Sequence, residues 1–68
     1  MSHVAKVIEI VGSSEKGWED AASEAIKTAS KTISGISGVE VEHMTATVKD
    51  GKISNYKTTV KIAFAVEH

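Results

Sequence analysis

The chain has no cysteine, no arginine, and no apolar run near the roughly 20 residues needed to span a membrane. Without cysteine there is no disulfide to stabilise the fold, and the redox compartment is left open. Eight lysines stand against nine acidic residues, for a formal net charge of −1. Nucleic-acid binders ordinarily show a basic excess, often with arginine, so that class is excluded. The histidines, His3, His43 and His68, are too scattered to suggest a zinc site by spacing. The opening MSHVAKVIEIVG places Lys6 and Glu9 inside its apolar part, unlike a secretion signal, so a soluble cytoplasmic protein is expected.

A catalytic set is missing too. Ser13 or Ser14 paired with a distant histidine has no orienting acid and no oxyanion motif beside it. The run Gly12-Ser13-Ser14 ahead of a helix lacks the spacing of a dinucleotide or P-loop fingerprint, so capping explains it better than phosphate binding. No residue is assigned a catalytic role, and a non-enzyme is expected.

What is present reads as one domain over residues 1–68, in the order β-α-β-β. The stretch Ser13 to Ile36 has helical periodicity, with Trp18, Ala22, Ala25, Ile26, Ala29, Ile33 and Ile36 on one stripe. Ser13 or Ser14 is expected to cap it, Gly12 to break the strand before it, and Gly35 to stop it in a left-handed conformation. Residues 3–11 form a first strand, with Lys6, Ile8 and Ile10 on one face and Val7, Glu9 and Val11 on the other. In a second strand, Val39 to Lys49, the set Val39, Val41, His43, Thr45 and Thr47 alternates with Glu40, Glu42, Met44, Ala46 and Val48. Asp50-Gly51 is a type I′ hairpin signal. A third strand, Ile53 to Glu67, presents Tyr56, Thr58, Val60, Ile62, Phe64 and Val66 on the face expected to pack on the helix. A crossover helix makes strands one and two parallel, with room for strand three between them, antiparallel to both. The fold class is therefore α+β, a three-stranded antiparallel-type sheet around one helix.

A chain of 68 residues buries only about 60% of its unfolded surface. With no disulfide and no metal motif, association between copies is the expected source of stability. Glu40 and Glu42, with Asp50 or a carboxylate from another copy, can offer oxygen ligands to a hard cation such as Ca²⁺. Two carboxylates are an incomplete shell, so pairing with Lys57 or Lys61 is the stronger reading. His43 and Trp18 read as core or interface residues rather than ligand platforms.

The whole chain resembles the dodecins, very small β-α-β-β proteins that assemble as shells of twelve copies and bind flavins. The resemblance runs through Lys6-Val7-Ile8-Glu9-Ile10-Val11-Gly12-Ser13-Ser14, Ala21-Ala22 and Glu24-Ala25-Ile26. It continues in Val39-Glu40-Val41, Asp50-Gly51-Lys52, Tyr56 to Val60 and Ile62-Ala63-Phe64. It implies a homododecamer that holds a small ligand, FMN or riboflavin. It also implies where this chain departs. The tryptophan that stacks on the flavin ring falls at Gly38, the glutamine at the ring's polar edge falls at Lys57, and an arginine found in some members falls at Thr45. Flavin binding is therefore expected to be lost or weakened, since stacking contributes about 0.5–1.5 kcal/mol beyond the buried area. Gly17-Trp18-Glu19, with no tryptophan near strand two, is more similar to a branch of dodecins described as calcium-binding. That keeps Glu40, Glu42 and Asp50 as candidate metal ligands.

Overall fold

The computed structural model describes residues 4–66, in the order β1 (Val4–Ser14), α1 (Trp18–Ala29), β2 (Ile36–Lys49) and β3 (Lys52–Val66). His3, His68 and the end of the expected third strand at Glu67 lie outside the described residues. The sheet order is β1-β3-β2, and β3 is antiparallel to both neighbours. Strands one and two therefore run parallel on the two edges, as expected for a crossover helix.

The helix packs on β1 and β3. Beneath it, Val60 and Ile62 of β3 are fully buried with Ala25, and Ile8, Ile10, Ala22, Ile26, Ala29, Ile33 and Ile36 close round them. Thr58 is buried in the same row and donates its hydroxyl to the Trp18 carbonyl at 2.8 Å, so no buried polar atom is orphaned there. The expected inward face of β3 is thus the one observed, and on β1 it is the Ile8–Ile10 face that packs with it. A helix of 12 residues is marginal alone, and this packing is what holds it.

The helix is shorter at both ends than its periodicity suggested, and at its start the reason lies in β1. That strand does not break at Gly12 but runs on to Ser14. Gly12 is buried directly under the helix, where an added Cβ would sit 1.9 Å from the Ala21 carbonyl oxygen. Its role is close approach of strand and helix, and no side chain fits. Ser13 and Ser14 consequently lie in the strand and cannot cap. Gly17 is the N-cap residue and supplies no side-chain bond. Ser14 instead donates to the Asp20 carboxylate at 2.6 Å and accepts from the Lys16 backbone N–H at 2.9 Å. The helix ends at Ala29, and a tight turn closes with the Ile33 N–H on the Ala29 carbonyl at 2.9 Å. Ile33 and Ile36 keep the stripe's inward direction from that turn and from β2. Gly35 is left-handed (φ 77°) but serves the entry to β2, not the helix end.

Asp50 (φ 52°) and Gly51 (φ 75°) both have positive φ, the requirement of a type I′ turn. The alternation of β2 does not survive intact. An irregularity between Val41 and His43 leaves Glu42 as an extra residue, so pairing passes from Val41↔Val60 to His43↔Thr59. From there the faces exchange. Val39, Val41, Met44, Ala46 and Val48 share the helix side, and Glu40, His43, Thr45 and Thr47 share the outer side.

Candidate functional site

The outer face of the sheet collects the chain's polar and ionisable groups into rows, each set by the register. Across β1, β3 and β2 these are Val7–Ala63–Gly38, Glu9–Lys61–Glu40, Val11–Thr59–His43 and Ser13–Lys57–Thr45. Cross-strand partners share a face, so each row is a line of neighbours.

Lys61 sits at the centre of the acidic row. Its ammonium lies 2.6 Å from the Glu42 carboxylate, which the irregularity in β2 turns onto this face. That hydrogen bond and the ammonium's charge hold Glu42 below the ordinary glutamate value of 4.5. The Glu42 bond and charge, helped by Glu40 and Glu9, raise Lys61 above 10.5. The bonded partner is thus Lys61, one of the two lysines expected from the sequence. Glu9 joins this row only through the fold. No sequence signal placed it beside Glu40.

Glu40, Glu42 and Asp50 do not meet within one chain, because Asp50 occupies the hairpin tip while Glu40 and Glu42 lie near the far end of β2. Among the described residues no group of three or more histidine, aspartate or glutamate side chains is gathered for a metal. A cation held by these three residues therefore needs carboxylates from more than one copy.

Thr45 and Lys57 are direct cross-strand partners. Gly38 is on the same face but seven residues up β2, about 20 Å away at roughly 3.3 Å per residue. A single small molecule does not reach all three in one chain. At Gly38 the surface is open, for a Cβ built there has no neighbour within 4 Å. A shallow cavity of about 200 Å³ lies beside it, lined by Val7, Gly38, Val39, Glu40, Lys61 and Ala63.

Trp18 does more than begin the helix stripe. Its indole N–H donates to the Thr45 carbonyl at 2.7 Å, and its ring meets Tyr56 edge-on at 4.9 Å between centroids. With Thr58 bonded to its carbonyl, one residue grips three successive rungs of the β2–β3 ladder. The bond to Thr45 crosses 27 positions of sequence, and no local pattern announces it.

The dodecin family model matches residues 4–67. The chain belongs to the dodecin family. It is 31% identical over 67 residues to the dodecin of Thermus thermophilus, covering 98% of this chain and 97% of that one. The solved dodecin of Streptomyces davaonensis superposes with a TM-score of 0.94 at 29% identity, over all of both chains. The calcium dodecin of Mycobacterium tuberculosis is 34% identical, with a TM-score of 0.81 over 94% of this chain and 91% of that one. That protein's structure is described as calcium-chelating, with a novel calcium-binding site. The dodecin fold thus accounts for the β-α-β-β order and the central β3. No helix among the described residues is long and apolar enough to cross a membrane.

Proposed function

We propose that this dodecin is the non-enzymatic, cytoplasmic subunit of a homododecameric shell that sequesters a small molecule, with flavin stacking lost or weakened. The observation that carries this is Gly38. The resemblance assigns the stacking tryptophan to that position, and here the position offers only backbone beside an open, shallow cavity. Lys57 and Thr45 take the two other ligand positions. They provide an ammonium and a hydroxyl where the relatives carry a neutral amide and, in some, a guanidinium. Because Gly38 and the Thr45–Lys57 row stand about 20 Å apart along β2, a complete site draws them from different copies. Titrating riboflavin or FMN with the purified protein tests this. Flavin fluorescence is expected to persist at micromolar protein, and strong quenching overturns the loss of stacking.

A second function is supported by the similarity to calcium dodecin and by the acidic row of the outer face. In it, Glu40, Glu42 and Asp50 from neighbouring copies hold Ca²⁺ and stabilise the shell. A chelator then lowers the melting temperature or dissociates the particle, and an unchanged melt disposes of calcium as a structural ion.

A further inference from the structure

The two halves of the sheet's outer face carry opposite charge. The half toward the start of β2 holds Glu9, Glu40 and Glu42 around Lys61. Past the Val11–Thr59–His43 row the sign reverses. Here the register sets Lys57 opposite Thr45, Asn55 opposite Thr47, and Lys49 opposite Lys52 at the last rung of the hairpin. Val48 and Ile53 pair on the helix side, so the neighbouring lysine pair faces outward with Lys57. All three lysines are exposed, and among the described residues none of them forms an ion pair. The carboxylate nearest the hairpin tip, Asp50, sits in the turn itself.

Lys49 and Lys52 are like charges placed directly opposite, an arrangement that destabilises a bare hairpin. The acidic row is at the far end of the face and does not offset it. An anion lying across the rung does. From Thr45 to Lys49 the strand runs about 13 Å, at roughly 3.3 Å per residue. Between the charges stand the Thr45 and Thr47 hydroxyls and the Asn55 amide, which spends one of its two N–H groups on Ser13.

The shape of this surface narrows the ligand. The cavities beside Gly38, between β1 and the helix, and at Trp18 are lined by none of these three lysines. A compact small molecule needs a concavity to bury it, whereas a chain of charges needs only a line of counter-charges. A single-stranded nucleic acid also lies along such ribbons, but it stacks its bases on aromatic rings. The chain's aromatic residues, Trp18, Tyr56 and Phe64, are all on the helix side.

We propose that the outer face of the β2–β3 hairpin binds a linear phosphate polyanion through Lys49, Lys52 and Lys57. The phosphates lie over the Thr47–Asn55 rung, which the ammonium groups approach from both ends. The surface shares Thr45 and Lys57 with the ligand positions proposed above, but it requires no flavin.

Isothermal titration of the purified protein with inorganic polyphosphate, at low and at physiological salt, reads the binding. Wild type is expected to bind, and to bind more weakly as salt rises, because phosphate contacts release condensed counterions. K49Q, K52Q and K57Q each weaken binding about two- to fivefold, and the triple variant abolishes it. K27Q, on the exposed face of the helix, leaves it unchanged. K52Q has a second signature. Without polyanion its melting temperature holds or rises, because the opposed pair is relieved. A fall assigns Lys52 to the fold instead of to the ligand. Absence of binding by wild type overturns the proposal, as does full affinity in a folded triple variant. A single-stranded oligonucleotide of equal charge that binds more tightly overturns the choice of a bare phosphate chain. Riboflavin carries no phosphate, so its titration tests the flavin position separately from all of these outcomes.

Discussion

Placing an aromatic ring at position 38 is the sharpest test of the proposed flavin site. Gly38 lies in β2 with a backbone outside the left-handed region, and a built Cβ meets nothing within 4 Å. G38W therefore introduces no strain, and it removes a strand glycine that costs roughly 0.5–1 kcal/mol relative to alanine. A tryptophan face laid on a tricyclic ring hides roughly 100 Å² of apolar surface, about 2.5 kcal/mol at ~25 cal/mol per Å². The aromatic geometry adds about 0.5–1.5 kcal/mol. Together these give about 3–4 kcal/mol, on the order of 10²- to 10³-fold in Kd. Riboflavin titrations followed by fluorescence quenching, run side by side on wild type and on G38W of equal particle size, measure that ratio. A folded, assembled G38W with unchanged flavin affinity would refute the assignment of position 38.

Three further outcomes are expected. G12A forces a methyl group into the Ala21 carbonyl, where backbone and not a flexible tip must yield, and loses about 1–3 kcal/mol in thermal or urea unfolding. W18F keeps an aromatic ring against Tyr56 but removes the donor to Thr45, costing about 0.5–1.5 kcal/mol and speeding amide exchange around Thr45 more than in β1. K61M frees Glu42, so the carboxyl titration followed by NMR moves up toward 4.5. The sign follows from the two shifts. With Glu42 depressed and Lys61 raised, the pair's stabilisation is complete between 4.5 and 10.5. It is lost as pH falls through the lowered Glu42 value or rises through the raised Lys61 value. The effect on stability is small, because both groups are partly exposed and salt screens them.

Most of the fold was legible because it depends on local period. The even alternation of Thr58, Val60 and Ile62 and the three-and-four spacing of Ala22, Ala25, Ile26 and Ala29 are carried by neighbours in sequence. So is the Asp50-Gly51 turn. The errors share one physical origin, namely that a long-range contact overrode a local signal. Gly12 has the character of a strand breaker, but its missing side chain is used by the helix packed above it. Ser14 has the character of a cap, yet continuation of β1 leaves it bonding Asp20 instead. Glu42 disrupts a regular alternation because β2 must pass an extra residue opposite β3, and nothing in the run Val39 to Thr47 marks that point.

The site was less legible for the same reason. Gly38, Thr45 and Lys57 are candidates by resemblance alone, and the register explains why they do not converge within one chain, with Thr45 facing Lys57 while Gly38 faces Ala63. Glu9 entered the Lys61 row and Trp18 reached Thr45 only through tertiary pairing.

The central claim is a closed shell with an emptied flavin position, and native mass spectrometry of the purified protein with added riboflavin addresses both parts at once. The prediction is a particle of twelve 7.2 kDa chains, about 86 kDa, without flavin mass. A particle loaded with flavin contradicts the loss of stacking, and a 7.2 kDa monomer contradicts the shell.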